Sequence, residues 1–203
     1  EHYRFNQSQL LEWATAEGIP LSPQSFRELH GTAPSRMPTL TQALELGGVF
    51  YDVPGKDMRI VLGELVQRLP LPQQIDRTFL LRMLLARERL GSTGLGEGIA
   101  VPHVRNPIVL RVPTPLVSLA FLHQPVDFHA VDGKPVSILF SLITPTVRTH
   151  LTLLSRLAFT LQDPAVRQAL NQRASRDAIL GHFSRIETQL KTSAGPATGQ
   201  QGR

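Results

Sequence analysis

One segment of the chain combines residue types that could bind and transfer an anionic group. Residues 87–103 place four glycines within eight positions, and a single histidine, His103, follows a short apolar run and a proline. Glycine lets backbone amides approach an anion closely, and the guanidinium of Arg87 offers a fork of donors. Imidazole is the side chain that is partly unprotonated, and therefore nucleophilic, near neutral pH. These groups together suit phosphoryl chemistry, in which positioning and charge stabilisation supply most of the acceleration.

Several other kinds of functional site can be tested against the motifs that they require. The nucleotide-binding patterns G-x-x-x-x-G-K-[ST] and G-x-G-x-x-G before a helix are both absent. The serine-hydrolase pattern G-x-S-x-G is also absent, and no His/Asp/Glu cluster has metal-ligand spacing, so we predict no metal or cofactor. A glycine-rich turn before a strand, with an incidental histidine, remains the alternative on spacing alone.

The full string is more specific than its parts. R-E-x-x-G-S-T-G-x-G-x-G-I-A-x-P-H resembles the phosphorylation-site signature of the phosphotransferase-system (PTS) enzyme IIA family, in its fructose/mannitol and nitrogen-regulatory branch. The resemblance extends from about Met37 to Phe183. The S-T-G-x-G-x-G variant, and the lack of a fused IIB or IIC segment in this sequence, resemble the nitrogen-regulatory type.

The resemblance implies roles for particular residues. His103 would carry the phosphoryl group, His150 in the pattern T-H-L would be the second active-site imidazole, and Arg87 would orient the phosphate. A phosphate-binding loop would consist of Ser92, Thr93, Gly94, Gly96 and Gly98. The phosphoryl donor would be a small histidine-phosphorylated carrier, HPr or its nitrogen-branch relative, and the recipient a IIB domain or a regulatory target. The account requires His103 to be uncharged and reachable.

Composition limits the class of protein. The chain has 203 residues, of which 41% are hydrophobic and 18% charged, so it can bury a substantial core. It contains no cysteine and no apolar run of membrane-spanning length, which predicts a cytoplasmic protein without disulfides. The net charge of +5 belongs to residues after position 36, because residues 1–36 are slightly acidic. The scattered arginines suit an acidic partner, although a solvated basic surface is the alternative.

The sequence divides into three parts. Residues 1–36 predict an N-terminal helical arm and linker that resembles the remnant of an excisionase-type helix-turn-helix unit. The recognition helix is missing and the segment is acidic, which disfavours nucleic-acid binding by the fragment. We expect residues 37–187 to form the IIA-type domain and residues 188–203 a disordered tail. Because Glu1 is not methionine, we expect the native N-terminus to lie upstream.

Two rival functions remain open. In the first, a DNA-binding head precedes Glu1 and the IIA-like domain is the phosphorylation sensor of a transcriptional regulator. In the second, the domain binds partners through the same surface without catalysis.

Apolar periodicity predicts the elements that position the site. We expect strands at residues 49–53, 99–101, 115–122 and 135–143, the last two joined around the turn Asp132-Gly133. We expect helices within residues 40–46, 57–69, 73–89 and 176–183. Two further helices should begin after a cap at Thr149 and at Pro164. The predicted fold class is α/β: one compact domain with a mixed, mainly parallel sheet flanked by helices.

Overall fold

A computed structural model describes residues 38–105, 110 and 112–192. Six helices and five strands follow one another in the order α1 (Leu40–Gly47), β1 (Val49–Val53), α2 (Met58–Arg68), α3 (Arg77–Glu88), β2 (Gly94–Gly96), β3 (Ile99–Ala100), β4 (Leu116–Val126), β5 (Val136–Ile143), α4 (Val147–Thr160), α5 (Pro164–Asn171) and α6 (Arg176–Thr192). The predicted N-terminal arm lies outside the described residues.

The five strands form one mixed sheet in the order β1-β4-β5-β3-β2. The pairs β1–β4 and β5–β3 are parallel, whereas β4–β5 and β3–β2 are antiparallel. The long β4–β5 hairpin forms the centre, and its register places Leu116 opposite Ile143. The predicted class, a mixed sheet flanked by helices, is confirmed.

The sheet separates two hydrophobic cores. Alternate side chains of the central strands face opposite ways, so each face packs its own helices. On one face, Phe121 and Phe140 pack with residues of α1, α4, α5 and α6. On the other face, Ala120 and Leu139 pack with residues of α2 and α3. Two helical layers therefore approach the sheet from opposite sides.

Helix starts follow capping residues in the sequence. Thr39, Asp57, Asp76, Thr146 and Asp163 each accept a hydrogen bond from a backbone amide in the first turn of the helix that follows. Such caps satisfy amides that have no partner within the helix. Two predicted starts were wrong. Helix α3 begins at Arg77 rather than near Gln73, and Thr146, not Thr149, caps α4; the Thr149 amide donates to the Thr146 hydroxyl.

Two predicted ends were also too early. Strand β4 continues to Val126, past the predicted Leu122. Helix α6 continues to Thr192, so residues 188–192 are helical and the predicted tail begins too soon; residues 193–203 lie outside the described residues. The continuation of α6 is stabilised by the burial of Ile186 and Glu187. The polar composition of the sequence around them gave no sign of these last turns.

Candidate functional site

His103 lies at the end of β3, where the backbone continues beside β5. A parallel bridge joins His103 to Leu142, and the Leu142 amide donates to the Pro102 carbonyl at 3.4 Å. The imidazole Nδ1 lies 2.8 Å from the Val101 carbonyl oxygen. A carbonyl can only accept, so Nδ1 carries the proton of the neutral ring and Nε2 carries the lone pair. The strand end therefore fixes both the ring orientation and its tautomer.

Arg87 reaches the same imidazole from the last turn of α3. Its Nε donates to Nε2 of His103 at 3.3 Å, and its Nη1 donates to the Gly91 carbonyl at 2.8 Å. The second bond holds the guanidinium across the end of the helix. Arg87 therefore contacts His103 through the ring nitrogen that carries the lone pair; its predicted phosphate-orienting role stays a prediction.

His150 lies in the first turn of α4, and its ring packs near the His103 ring. The two ring centroids are 4.9 Å apart and the rings are tilted by 43°. His150 therefore lies in the first turn of a helix, where the positive end of the helix dipole favours an anion. The structure brings together all three predicted residues: Arg87, His103 and His150.

The prediction that solvent can reach His103 is wrong, because the side chain is buried. His103 exposes 3% of its surface and His150 exposes 4%. Buried Val101 and Val104 flank His103 in the chain, while His150 and Arg87 contact its ring. Arg87 is only half-buried. An incoming group that bonds to Nε2 must therefore displace the Arg87 Nε–H from that nitrogen.

Glu88, which the sequence left without a function, holds the start of the glycine segment. Its carboxylate accepts from the Thr93 amide at 2.7 Å and from the Thr93 hydroxyl at 2.8 Å. Burial raises the pKa of the Glu88 carboxyl, although the Thr93 hydrogen bonds and the positive charge of Arg87 act in the opposite direction. Its place after Arg87 in the R-E pair was the signal that could have identified it.

The glycine segment is a tight hairpin, β2–β3, packed against the loop that joins β4 and β5. A side chain at Gly94 would approach Ala130 to 2.6 Å, and Gly96 has φ of 86° beside Asp132. The amide of Gly94 donates to the Ser92 hydroxyl, whose own proton goes to the Phe128 carbonyl. Gly98, also at positive φ, lies against Ser137.

Several backbone amides of this segment already donate to side chains within the chain. The Thr93 amide is bonded to Glu88, the Gly94 amide to Ser92 and the Glu97 amide to Asp132. These bonds give the hairpin a structural role. A phosphate-binding role for Ser92, Thr93, Gly94, Gly96 and Gly98 stays a prediction.

Two other described histidines pair with carboxylates outside this cluster. His123 pairs with Asp52 and His129 pairs with Asp127, both at exposed positions. Among residues 38–105, 110 and 112–192, no group of three or more His, Asp or Glu side chains could hold a metal ion. Within the same ranges, no helix is both long and apolar enough to cross a membrane.

Comparison with known proteins shows the family of the chain. Residues 43–185 match the sequence family described as the phosphoenolpyruvate-dependent sugar phosphotransferase system, EIIA 2. The chain belongs to this family. The matched range contains all three clustered residues, and EIIA domains are phosphotransfer components of that system.

Its relatives include regulatory and transport proteins. A nitrogen regulatory protein of Pseudomonas aeruginosa is 38% identical over 144 residues, which cover 69% of this chain and 91% of that protein. The fructose-specific EIIABC component of Bacillus subtilis is 31% identical over 70% of this chain, but the match covers only 22% of that longer protein. The crystal structure of the nitrogen regulatory protein IIA-Ntr from Neisseria meningitidis superposes with a TM-score of 0.62 at 31% identity, covering 71% of this chain and 98% of that one. This EIIA domain is therefore close to the IIA-Ntr proteins.

Proposed function

We propose that this EIIA domain is a phosphocarrier in which Nε2 of His103 accepts a phosphoryl group from an HPr-like protein. The observation that carries the proposal is the pair of hydrogen bonds on the His103 ring. Val101 retains the proton on Nδ1, so the lone pair of Nε2 is directed at the Arg87 guanidinium, a group that binds phosphoryl oxygens well.

The transfer exchanges one phosphorus–nitrogen bond for another. The bond between phosphorus and the donor imidazole breaks as the bond to Nε2 of His103 forms. Arg87 moves from Nε2 to the phosphoryl oxygens, and the amino end of α4 stabilises the added negative charge. His150 packs against the reacting ring and positions it. Because the protein supplies placement and charge rather than a covalent catalyst, these residues suffice for the chemistry.

A regulatory role is favoured over sugar transport. The support is the similarity to nitrogen regulatory proteins over most of the domain. The phosphorylation state of His103 would then be read by a target protein, or the group would pass to a IIB domain. We propose a cytoplasmic location, since a donor of the HPr type works there.

A labelling experiment tests the proposal. The domain is incubated with a radiolabelled, phosphorylated HPr-type carrier, and acid-labile, alkali-stable phosphate on the product is measured. His103→Ala should abolish labelling, because it removes the acceptor nitrogen. His150→Ala should slow labelling by about tenfold or more without abolishing it, because a misplaced nucleophile reacts slowly.

The control is His123→Ala, which removes an exposed histidine outside the cluster and should label at the wild-type rate. Phosphorus–nitrogen couplings measured by NMR would identify the modified ring nitrogen. Label that persists in His103→Ala, or a phosphate on Nδ1, would contradict the proposal.

A further inference from the structure

The β2–β3 hairpin departs from a regular ladder at the position next to the reactive histidine. Gly94 pairs with Ala100 in the hairpin, so the residues beyond them, Thr93 and Val101, lie opposite one another. The Val101 amide donates to the Thr93 carbonyl at 3.0 Å, which makes this a hydrogen-bonded position of the antiparallel pair. Two residues at such a position normally exchange two bonds, so a regular ladder would have the Thr93 amide donate to the Val101 carbonyl.

Glu88 binds the Thr93 amide in place of Val101. The amide donates to one oxygen of the Glu88 carboxylate at 2.7 Å, and the Thr93 hydroxyl donates to the other oxygen at 2.8 Å. Because an amide has a single hydrogen, the bond to Glu88 replaces the second bond of the ladder. The Val101 carbonyl is therefore left to accept from Nδ1 of His103, at 2.8 Å.

All four residues of this arrangement, Glu88, Thr93, Val101 and His103, are buried. A buried amide needs an acceptor within the protein, because leaving it unpaired costs free energy comparable to a lost hydrogen bond. The Val101 carbonyl is the acceptor that the ladder geometry offers to the Thr93 amide in place of Glu88. The carboxylate of Glu88 therefore decides which hydrogen the Val101 carbonyl accepts.

Glu88 is also linked to the group that contacts the other ring nitrogen. Its backbone carbonyl accepts from the Gly91 amide at 3.2 Å, and the Gly91 carbonyl accepts from Nη1 of Arg87 at 2.8 Å. Arg87 in turn donates through Nε to Nε2 of His103. The turn that follows α3 thus completes a ring of hydrogen bonds that reaches both nitrogens of the imidazole.

We propose that Glu88 is a positioning residue: by binding the Thr93 amide, it reserves the Val101 carbonyl for Nδ1 of His103 and so keeps the lone pair on Nε2. This inference rests on the proposed function, in which Nε2 accepts the phosphoryl group. The tautomer of a neutral imidazole is set by the hydrogen bond that one of its nitrogens makes. Glu88 acts on the ring through Thr93 and Val101.

Removing the Glu88 carboxylate tests the inference. In Glu88→Ala the Thr93 amide should turn to the Val101 carbonyl and compete with Nδ1, so that a measurable fraction of His103 carries its proton on Nε2. Nitrogen NMR of the full chain at mildly alkaline pH distinguishes the two tautomers, and the wild type should be protonated on Nδ1. Single-turnover labelling by phosphoramidate, a small phosphoryl donor, should be about tenfold slower or more in Glu88→Ala, because the nucleophile is then poorly aligned.

Two further variants separate positioning from a general loss of structure. Glu88→Gln keeps an oxygen that can accept from the Thr93 amide, so it should keep the wild-type tautomer and most of the labelling rate. Asp76→Ala removes the carboxylate that caps the other end of α3 by accepting from the amides of Thr78 and Phe79. This control destabilises the helix but should keep both the tautomer and the rate. A tautomer shift in Glu88→Gln as large as that in Glu88→Ala would contradict the inference, because the acceptor oxygen would then not be what matters.

A measurement on the unmodified chain tests the inference even where Glu88→Ala does not fold. NMR couplings across hydrogen bonds should join the Val101 nitrogen to the Thr93 carbonyl carbon, and the Thr93 nitrogen to the carboxylate carbon of Glu88. A coupling between the Thr93 nitrogen and the Val101 carbonyl carbon would overturn the inference, since the ladder would then be regular.

The labelling results separate this inference from the proposed function. If the wild type is labelled and Glu88→Ala keeps both the wild-type tautomer and the wild-type rate, the positioning role of Glu88 is overturned and the phosphocarrier function stands. If neither phosphoramidate nor an HPr-type carrier labels His103 of the wild type, the proposed function fails. A tautomer shift in Glu88→Ala would in that case still support the control of the ring by Glu88.

Discussion

At the scale of single residues, both ring nitrogens of His103 have hydrogen-bond partners, and the ring is closed to solvent. Its Nδ1 is bound to the Val101 carbonyl, which fixes the reactive tautomer. Its Nε2 accepts from Arg87, and the ring exposes 3% of its surface. The residue that would bind the phosphate is therefore also the residue that covers the nucleophile. Removing Arg87 should make His103 easier for a small reagent to reach, but it should slow phosphoryl transfer to His103.

We expect Arg87→Ala to slow phosphoryl transfer to His103 by about 10² to 10³-fold, the usual cost of losing one donor to developing charge. The same variant should speed modification of His103 by diethyl pyrocarbonate, because Nε2 loses its partner. Arg87→Lys should recover only part of the transfer rate, since an ammonium cannot replace the planar fork. Arg82→Ala, on the same helix but exposed, is the control. Unchanged rates in both assays would contradict this account of Arg87.

Glu88 predicts a measurable dependence of stability on pH. Burial raises the pKa of its carboxyl above the ordinary value of 4.5. The folded protein then holds the proton more readily than the unfolded chain, so this contribution to stability is fully present below the unfolded pKa and is lost as pH rises through the folded pKa. Glu88→Gln, which does not titrate, should lack that loss.

Urea unfolding at several pH values between about 4 and 7 measures the effect. The free energy of unfolding of the wild type should fall relative to that of Glu88→Gln as pH rises across this range. Glu64→Gln, at an exposed position on α2, serves as the control for removing a carboxyl that is not buried. A difference between wild type and Glu88→Gln that does not change with pH would contradict the raised pKa.

The residue types of the site were predictable, but their surroundings were not. Arg87 and His103 follow from the signature and His150 from the pattern T-H-L, and the three residues do meet in space. The burial of His103 depends on side chains brought by α3 and α4 from distant parts of the sequence, which no local pattern encodes. Glu88 was overlooked for a different reason: its partner, Thr93, is only five positions away, but the contact forms only when the chain turns after α3.

At the scale of elements, the contact between α6 and α1 stabilises the face of the sheet that carries α4. Glu187 of α6 accepts from the amides of Leu40 and Thr41 at 2.7 and 2.9 Å, at the start of α1. It also lies 3.6 Å from the guanidinium of Arg156 on α4. One carboxylate thus links three helices, and Arg156 is itself largely buried.

Replacing Glu187 should be far more costly than replacing a surface carboxylate. Glu187→Gln leaves the buried Arg156 without its opposite charge, which should lower the free energy of unfolding by about 3–5 kcal/mol. Glu64→Gln removes an exposed ion pair with Arg68 and should cost about 1 kcal/mol or less. Chemical denaturation of both variants measures the contrast. Equal losses of unfolding free energy in the two variants would contradict a stabilising role for the contact between α1, α4 and α6.

Element boundaries show which local signals are dependable. Capping side chains directly before an apolar run located α1, α2 and α5 well, since Thr39, Asp57 and Asp163 satisfy first-turn amides. Thr146 was missed because Thr149, three residues later, is an equally suitable capping residue by type. The end of α6 was missed because its last turns are stabilised by contacts with α1 and not by its own sequence.

At the scale of the whole molecule, residues 38–192 contain every part that the site requires. The five-stranded sheet, both cores and the cluster of Arg87, His103 and His150 lie within them. We expect a fragment of residues 38–192 to fold and to accept phosphate from the carrier at the rate of the full chain. A fragment of residues 38–183 lacks Ile186 and Glu187 and should be unfolded or strongly destabilised.

Circular dichroism with thermal melting, followed by the labelling assay, compares the two fragments with the full chain. Because the two fragments differ only after residue 183, a difference between them isolates the last turns of α6. Equal melting of both fragments would contradict the structural role given to those turns. Loss of labelling in the longer fragment would mean that residues outside it are needed for transfer.

The link between α1 and α6 has a consequence for synthesis of the protein in the cell. Thr41 and Glu187 are separated by 146 positions in the chain. While a ribosome is still translating residues before 187, the amino end of α1 lacks its buried carboxylate, and α4 has Arg156 without the charge that balances it. The helical face that holds His150 is therefore completed only when nearly the whole nascent domain has left the exit tunnel.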